Sequence, residues 1–118
     1  MAIQNWSEDI TVVELTDDPQ FTDELGGLMD GLEDKPSNVV LNFAAVSFIN
    51  SSNVAKLLRI RKLLVSAQRR LILCGVNTQV WGIFMVTGLD KIFEFTNDMS
   101  TALATMQMKP AKKSQKTS

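Results

Sequence analysis

Apolar residues change their spacing several times along the chain, and each change predicts an element. Thr11-Val12-Val13-Glu14-Leu15 is β-branched and partly alternating, which predicts a strand over 10–16. Residues 3–7 form its antiparallel partner, with Glu8-Asp9 near the turn. Asp17-Asp18-Pro19 is a turn or a helix start. Phe21, Leu25, Leu28, Met29 and Leu32 then recur three or four apart, predicting an amphipathic helix over 20–34. Gly26-Gly27 either weakens that helix, by about 1 kcal/mol per glycine relative to alanine, or permits close packing on a sheet. Lys35-Pro36-Ser37 ends it.

Val39-Val40-Leu41-Asn42-Phe43 is apolar at four of its five positions, so both faces of this strand should be covered, as inside a helix-flanked sheet. From Val54 to Val65 the spacing is helical again, predicting a second helix over about 51–68. Gln68-Arg69-Arg70 leads into a strand at 71–74. Gly75-Val76-Asn77 makes a turn, and Asn77 or Thr78 caps a third helix over 77–87 that carries Val80, Trp81, Phe84 and Met85. Gly88 stands where a left-handed C-terminal glycine is expected. Ile92-Phe93-Glu94-Phe95 reads as a last strand. Asn97 or Ser100 begins a final helix over 98–107, with Met99, Ala102, Leu103 and Met106 inward. Strands alternating with helices after an initial hairpin predict an α/β layer architecture with a mixed sheet of four to five strands. The folded domain is expected over 1–108, and 109–118 is expected to be a flexible, lysine-rich tail.

Composition narrows the chemistry. With 118 residues, 45% of them apolar, the chain suits one modest core. It has no run of the ~18 apolar residues a membrane span needs, and no basic start followed by an apolar stretch; a cytoplasmic location without membrane insertion is expected. Histidine is absent, which removes the commonest general base and zinc ligand and any Ser-His-Asp or Cys-His mechanism within the chain. Cys74, the one cysteine, ends an apolar run and reads as a small buried hydrophobe. The carboxylates at 8, 9, 14, 17, 18, 23 and 24 lack the spacing of a calcium loop, and no phosphate-cradling glycine loop is present. The expectation is a non-enzymatic protein with no cofactor and no metal.

Net charge is −1, but its distribution is uneven. Residues 1–38 hold ten acids and one lysine, whereas 39–108 hold seven bases and three acids. Most folded-region bases ride the second helix and tyrosine is absent, so a nucleic-acid partner is not expected. Lys56, Arg59 and Lys62 share one face of that helix, either as a solvated face or as a landing surface for an acidic partner.

The stretch Phe48-Ile49-Asn50-Ser51-Ser52-Asn53 lies between a strand and a helix. It therefore places two serines where backbone N–H groups lack intrahelical partners and the helix dipole is positive. Asn50, Ser51 or Ser52 is the N-cap, and a phosphate on either serine would be well received there.

Val39 to Phe43, then Val46-Ser47-Phe48-Ile49-Asn50-Ser51-Ser52, then a helix, resembles the STAS domain of bacterial anti-sigma-factor antagonists, whose central motif is a strand, a loop, Asp-Ser-Ser/Thr-Gly and a helix. Thr87-Gly88-Leu89-Asp90-Lys91-Ile92-Phe93 is similar to that family's turn into its last strand. The resemblance spans roughly 38–95. Asn50 stands where the family has Asp and Asn53 where it has Gly, and Leu15 to Pro19 departs from the family's N-terminal Gly-x-Leu/Ile-Asp segment. The resemblance implies an STAS-like fold and a protein–protein switch, in which Ser51 is phosphorylated by a partner kinase and Asn50, Ser52 and Asn53 support it. It further implies an anti-sigma factor or related serine kinase as partner. The apolar loop 44–50 (Ala44, Ala45, Val46, Phe48) bordering the serines, and the bases that follow at helical spacing, predict docking on that loop, the Lys56/Arg59 face and the start of the third helix. Ser52 is expected to support the local backbone. The family also contains accessory subunits of transporter ATPases without a phosphoswitch, and that role stays open.

Overall fold

The structure is a computed structural model and describes residues 3–7 and 9–107; the tail expected at 109–118, and Glu8 of the expected hairpin turn, lie outside the described residues. Five strands form one sheet in chain order: β1 (Ile3–Asn5), β2 (Ile10–Thr16), β3 (Asn38–Ala45), β4 (Leu71–Cys74) and β5 (Glu94–Thr96). β1 runs antiparallel to β2, with Ile3 opposite Val13, and the remaining pairs are parallel. The helices are α1 (Gln20–Asp34), α2 (Ser51–Ser66), α3 (Thr78–Val86) and α4 (Met99–Gln107). The expected mixed α/β sheet is the one observed.

Chain-order strands joined by right-handed crossovers put all three connecting helices on the same face. Val39, Leu41 and Phe43 point to that face and share one core with Phe21 and Leu25 of α1, Leu57 and Ile60 of α2, and Phe84 of α3. Phe43 lies between Phe21 and Phe84, with edge-on ring contacts at 6.0 and 6.2 Å. The alternate positions, Ile10, Val12, Val40, Ile72 and Cys74, face the other way and are covered by Ala102 and Met106 of α4. β3 and β4 are thus covered on both faces, which is why their sequences are apolar nearly throughout.

Three local expectations are corrected. The last strand begins at Glu94 rather than 92, because left-handed Gly88 (φ 78°) opens a 3₁₀ turn at Leu89–Lys91. The N–H groups of Ile92 and Phe93 both donate to the Leu89 carbonyl, at 3.0 and 3.1 Å, and so are withdrawn from the sheet ladder. The final helix is capped by Asp98, whose carboxylate accepts from the Thr101 N–H at 2.8 Å, and not by Asn97 or Ser100. α2 stops at Ser66, short of 68. Gln68 adopts φ 60°, and the Gln68 and Arg69 N–H groups donate to the Val65 and Leu64 carbonyls at 3.1 and 2.7 Å, a Schellman ending without glycine. The glycines of α1 do not serve close packing on the sheet: a Cβ at Gly26 would meet nothing within 4 Å, and one at Gly27 would meet only Ile3 Cδ1 at 3.9 Å.

The turn after α2 places Arg70 at the start of β4. Its guanidinium forms a two-pronged ion pair with Glu94 at the start of β5 and donates to the Thr105 carbonyl of α4 at 3.1 Å. One side chain thus fastens β5 and α4 to β4.

Candidate functional site

The C-terminal ends of the parallel strands carry the loops that precede α1, α2 and α3, and the sequence-predicted site sits in the middle one. Asn50 is the N-cap of α2. Its side chain accepts from the Asn53 N–H at 2.8 Å, while the Asn53 side chain accepts from the Asn50 N–H at 3.0 Å. This reciprocal capping satisfies donors that a helix start leaves open. It settles the three candidate caps in favour of Asn50.

Asn53 is buried, 2% exposed, so its side chain lies beneath the helix start rather than projecting toward a partner. Its amide also donates to the Asp18 carboxylate at 3.1 Å. Asp18, just before the N-cap Pro19, in turn accepts from the Thr22 N–H at 2.9 Å and hydroxyl at 2.7 Å, satisfying a first-turn donor of α1. Hydrogen bonds from Thr22 and then Asn53 hold the Asp18 carboxyl below the ordinary aspartate range. One carboxylate therefore serves the first turns of two helices.

The loop 44–50 is held from both sides. Asp17 accepts from the Ser47 N–H at 2.8 Å, and hydrogen bonds from Ser47 lower the pKa of Asp17. On the far side, the Asn77 amide donates to the Val46 carbonyl at 3.0 Å, while its side-chain oxygen caps α3 through the Val80 N–H at 2.8 Å. Asn42 accepts from the Ala44 N–H at 3.0 Å. Gly75 (φ 71°) packs against the same corner: a Cβ there would lie 2.9 Å from Asn42 Oδ1 and 3.1 Å from Ala44 N.

On this fixed loop Val46 and Ile49 point into the core, whereas the Phe48 side chain is 62% exposed. The apolar surface beside the serines is therefore Ala44, Ala45 and Phe48, without Val46. Ser51 is exposed in the first turn of α2, and its hydroxyl makes no hydrogen bond among the described residues. Ser52 accepts from the Lys56 ammonium at 3.1 Å, so its partner is a side chain rather than the backbone. Lys56 is half-buried, and Arg59 and Lys62 are exposed further along α2.

Asp17 and Asp18 are the site residues that sequence reasoning missed. The available signal was topological: if β2 and β3 are parallel neighbours, the loops leaving their C-terminal ends must touch. Elsewhere, burial pushes the Cys74 thiol up to about 11, with Asp98 adding to the shift. Among the described residues no group of His, Cys, Asp and Glu side chains is arranged to hold a metal, and no helix is long and apolar enough to cross a membrane.

No curated protein matches the chain in sequence. Several solved structures match in fold. A Thermotoga maritima protein assigned as an anti-sigma factor antagonist superposes with a TM-score of 0.77 at 18% identity, covering 86% of this chain and 91% of its own. A Planctomyces limnophilus anti-sigma-factor antagonist (STAS) domain protein gives 0.74 at 20% identity, covering 84% and 92%. The Bacillus cell fate determinant SpoIIAA in its phosphorylated form gives 0.71 at 17% identity, covering 89% and 97%. At such identities the likeness is one of fold. The sequence model of the STAS domain matches residues 2–102, nearly the whole described structure, and the chain belongs to the STAS-domain family.

Proposed function

We propose that this protein is a non-enzymatic regulatory switch that works by protein–protein contact, with phosphorylation of Ser51 as its control. The observation that carries the reading is the placement of the Ser51 hydroxyl: exposed, free of hydrogen bonds among the described residues, and on a helix start already capped by Asn50 and Asn53. Because the cap does not use Ser51, a phosphate can be added without dismantling it. The phosphate brings about −1.5 to −2 charges to the positive end of α2, so the fold tolerates it, while a partner seated over that turn meets a desolvated dianion. A penalty of ~3 kcal/mol on the complex would change occupancy by about two decades.

The partner class that fits is an anti-sigma factor or a related serine kinase, seated on Phe48, the first turn of α2, and Lys56 and Arg59. Asn50 carries no charge, and the nearest carboxylates in the network are Asp17 and Asp18 of the neighbouring loop. The reading is tested by calorimetry of the native, Ser51→Ala, Ser51→Asp and phosphorylated proteins against the anti-sigma factor. Ser51→Ala should bind like the native protein, Ser51→Asp more weakly, and the phosphoprotein weakest. Equal affinity of native and phosphorylated protein would sink the switch. Stable co-purification with a transporter ATPase, together with a Ser51 that no kinase modifies, would assign the protein as an accessory subunit instead.

A further inference from the structure

The opposite end of α2 carries a second feature that the Ser51 site does not use. Between the last turns of α2 and the segment entering β5 lies a groove of about 190 Å³, walled by Arg61, Val65, Arg69 and Ile92 and closed at one end by the Arg70–Glu94 pair. We infer that this groove is a second docking site, shaped for an acidic amphipathic segment of a partner protein in which carboxylates alternate with aliphatic side chains.

Charge is the first argument. Arg70 is satisfied by Glu94 and the Thr105 carbonyl, and Glu94 is thereby occupied. Arg61 and Arg69 form no ion pair among the described residues, so two guanidinium groups stand at the groove without a counter-charge. Guanidinium is the side chain best matched to a carboxylate, through two parallel hydrogen bonds. The second argument is the apolar surface between them. Val65 is 57% and Ile92 43% exposed, and both line the same groove. Single exposed aliphatics mean nothing, but a pair sharing one cleft between unpaired arginines offers a mixed surface that a bare anion would not use. Third, the groove is pre-formed. The Schellman ending at Gln68 fixes the position of Arg69, and the 3₁₀ turn at Leu89–Lys91 turns Ile92 outward.

Charge complementarity also chooses among occupants. Nucleic acid would call for a broad basic surface, whereas this one is a cleft with aliphatic walls. A second copy of this chain supplies acids on α1, but Asp23, Asp30, Glu33 and Asp34 there are interspersed with the exposed Gly26, Gly27 and Gly31 rather than with exposed aliphatics. A separate acidic, aliphatic segment fits both halves of the groove. Along α2, Arg61 lies about 15 Å and Val65 about 21 Å from Ser51, so the groove lies outside the turn that bears the serine and this inference does not rest on the phosphoswitch.

The test is an amide NMR titration of the isotope-labelled full chain with a short synthetic peptide alternating glutamate and leucine. Shifts should concentrate at Val65, Arg69 and Ile92. Affinity should fall about tenfold or more in an Arg61→Glu, Arg69→Glu double variant, fall in Val65→Ser, and stay unchanged in Ser51→Asp. Retained amide dispersion checks the fold of each variant; Arg69→Gln, at an exposed position, serves if the double variant is unfolded. Shifts confined to other residues, or undiminished affinity in the charge variants, overturn the proposal. So does an all-glutamate peptide or a short oligonucleotide binding as tightly as the alternating peptide. Self-association lost on reversing Arg61 and Arg69 would give the groove to a second copy and overturn it likewise.

Discussion

The amide of Asn53 donates to the carboxylate of Asp18 across 3.1 Å, joining the helix start that bears Ser51 to the loop that starts α1. Because Asp18 also holds the first turn of α1 through Thr22, Asp18→Ala should release two helix starts together, at a cost of about 1 kcal/mol. Amide exchange over 44–53 should quicken at the same time. Denaturation and hydrogen exchange on the same variant check this; unchanged exchange in the loop would mean that Asp18 serves α1 alone.

The pH dependence has a definite sign. Hydrogen bonds lower the pKa values of Asp17, Asp18 and Asp98 in the folded state. Their contribution is therefore present above the unfolded aspartate value, near 3.9, and is lost as pH falls through the lowered folded values. The unfolding midpoint in urea should therefore drop as pH falls below about 4. Asp17→Asn with Asp18→Asn should make that drop shallower.

Gly75 and Gly88 share a left-handed conformation but differ in surroundings. Gly88→Ala meets nothing within 4 Å, so it should cost only the conformational penalty of roughly 1 kcal/mol. Gly75→Ala adds a Cβ against Asn42 Oδ1 and Ala44 N, at 2.9 and 3.1 Å, and should cost about 2 kcal/mol or more. It should also disturb the loop that carries Phe48. Equal losses for the two variants in thermal denaturation would show that the corner around Asn42 gives way easily.

Gln68 holds φ 60° at the end of α2. Gln68→Gly should raise stability by about 0.5–1 kcal/mol, because relief of the left-handed penalty outweighs the added freedom of the unfolded chain. Chemical denaturation gives the sign directly, and a loss of stability would point to an unrecognised role for the glutamine side chain.

At the proposed docking surface, Phe48→Ala should act mainly on dissociation, since an exposed ring on a pinned loop is suited to anchor a partner. Reversing Lys56 and Arg59 should act mainly on the association rate and its salt dependence, with little change in folding. Stopped-flow measurements at two ionic strengths separate the two effects. Loss of binding on charge reversal at every salt concentration would place these bases in the centre of the contact.

Much of the architecture was legible because the apolar spacing changes cleanly from β3 to α2 to β4. The start of the last strand was misplaced for a physical reason: Ile92-Phe93-Glu94-Phe95 is rich in β-formers throughout, yet the turn opened by Gly88 captures the first two N–H groups. The start of α4 reads in the sequence as Asn97 or Ser100; Asp98 between them, also a capping residue type, was missed, because local sequence does not rank the three. The helix start at 50–53 was visible as a run of capping residues. Its supports were not. Asp17 and Asp18 lie 30 and 35 residues from the groups they bind, and Arg70 lies 24 from Glu94. Such pairings come from which strands become neighbours, and no window along the sequence contains them.

A sheet whose strands stand in chain order can be assembled in the order of synthesis. The β1–β2 hairpin can accept β3, then β4, then β5 as each emerges, and no strand must be inserted between two already paired. The three connecting helices cover one face as they arrive. The other face, with Ile10, Val12, Val40 and Ile72, stays bare until α4 emerges, after all five strands. A nascent chain stalled before Met99 would therefore present a nearly complete sheet with an open apolar side, and that interval is when it is most exposed to aggregation and most in need of a chaperone.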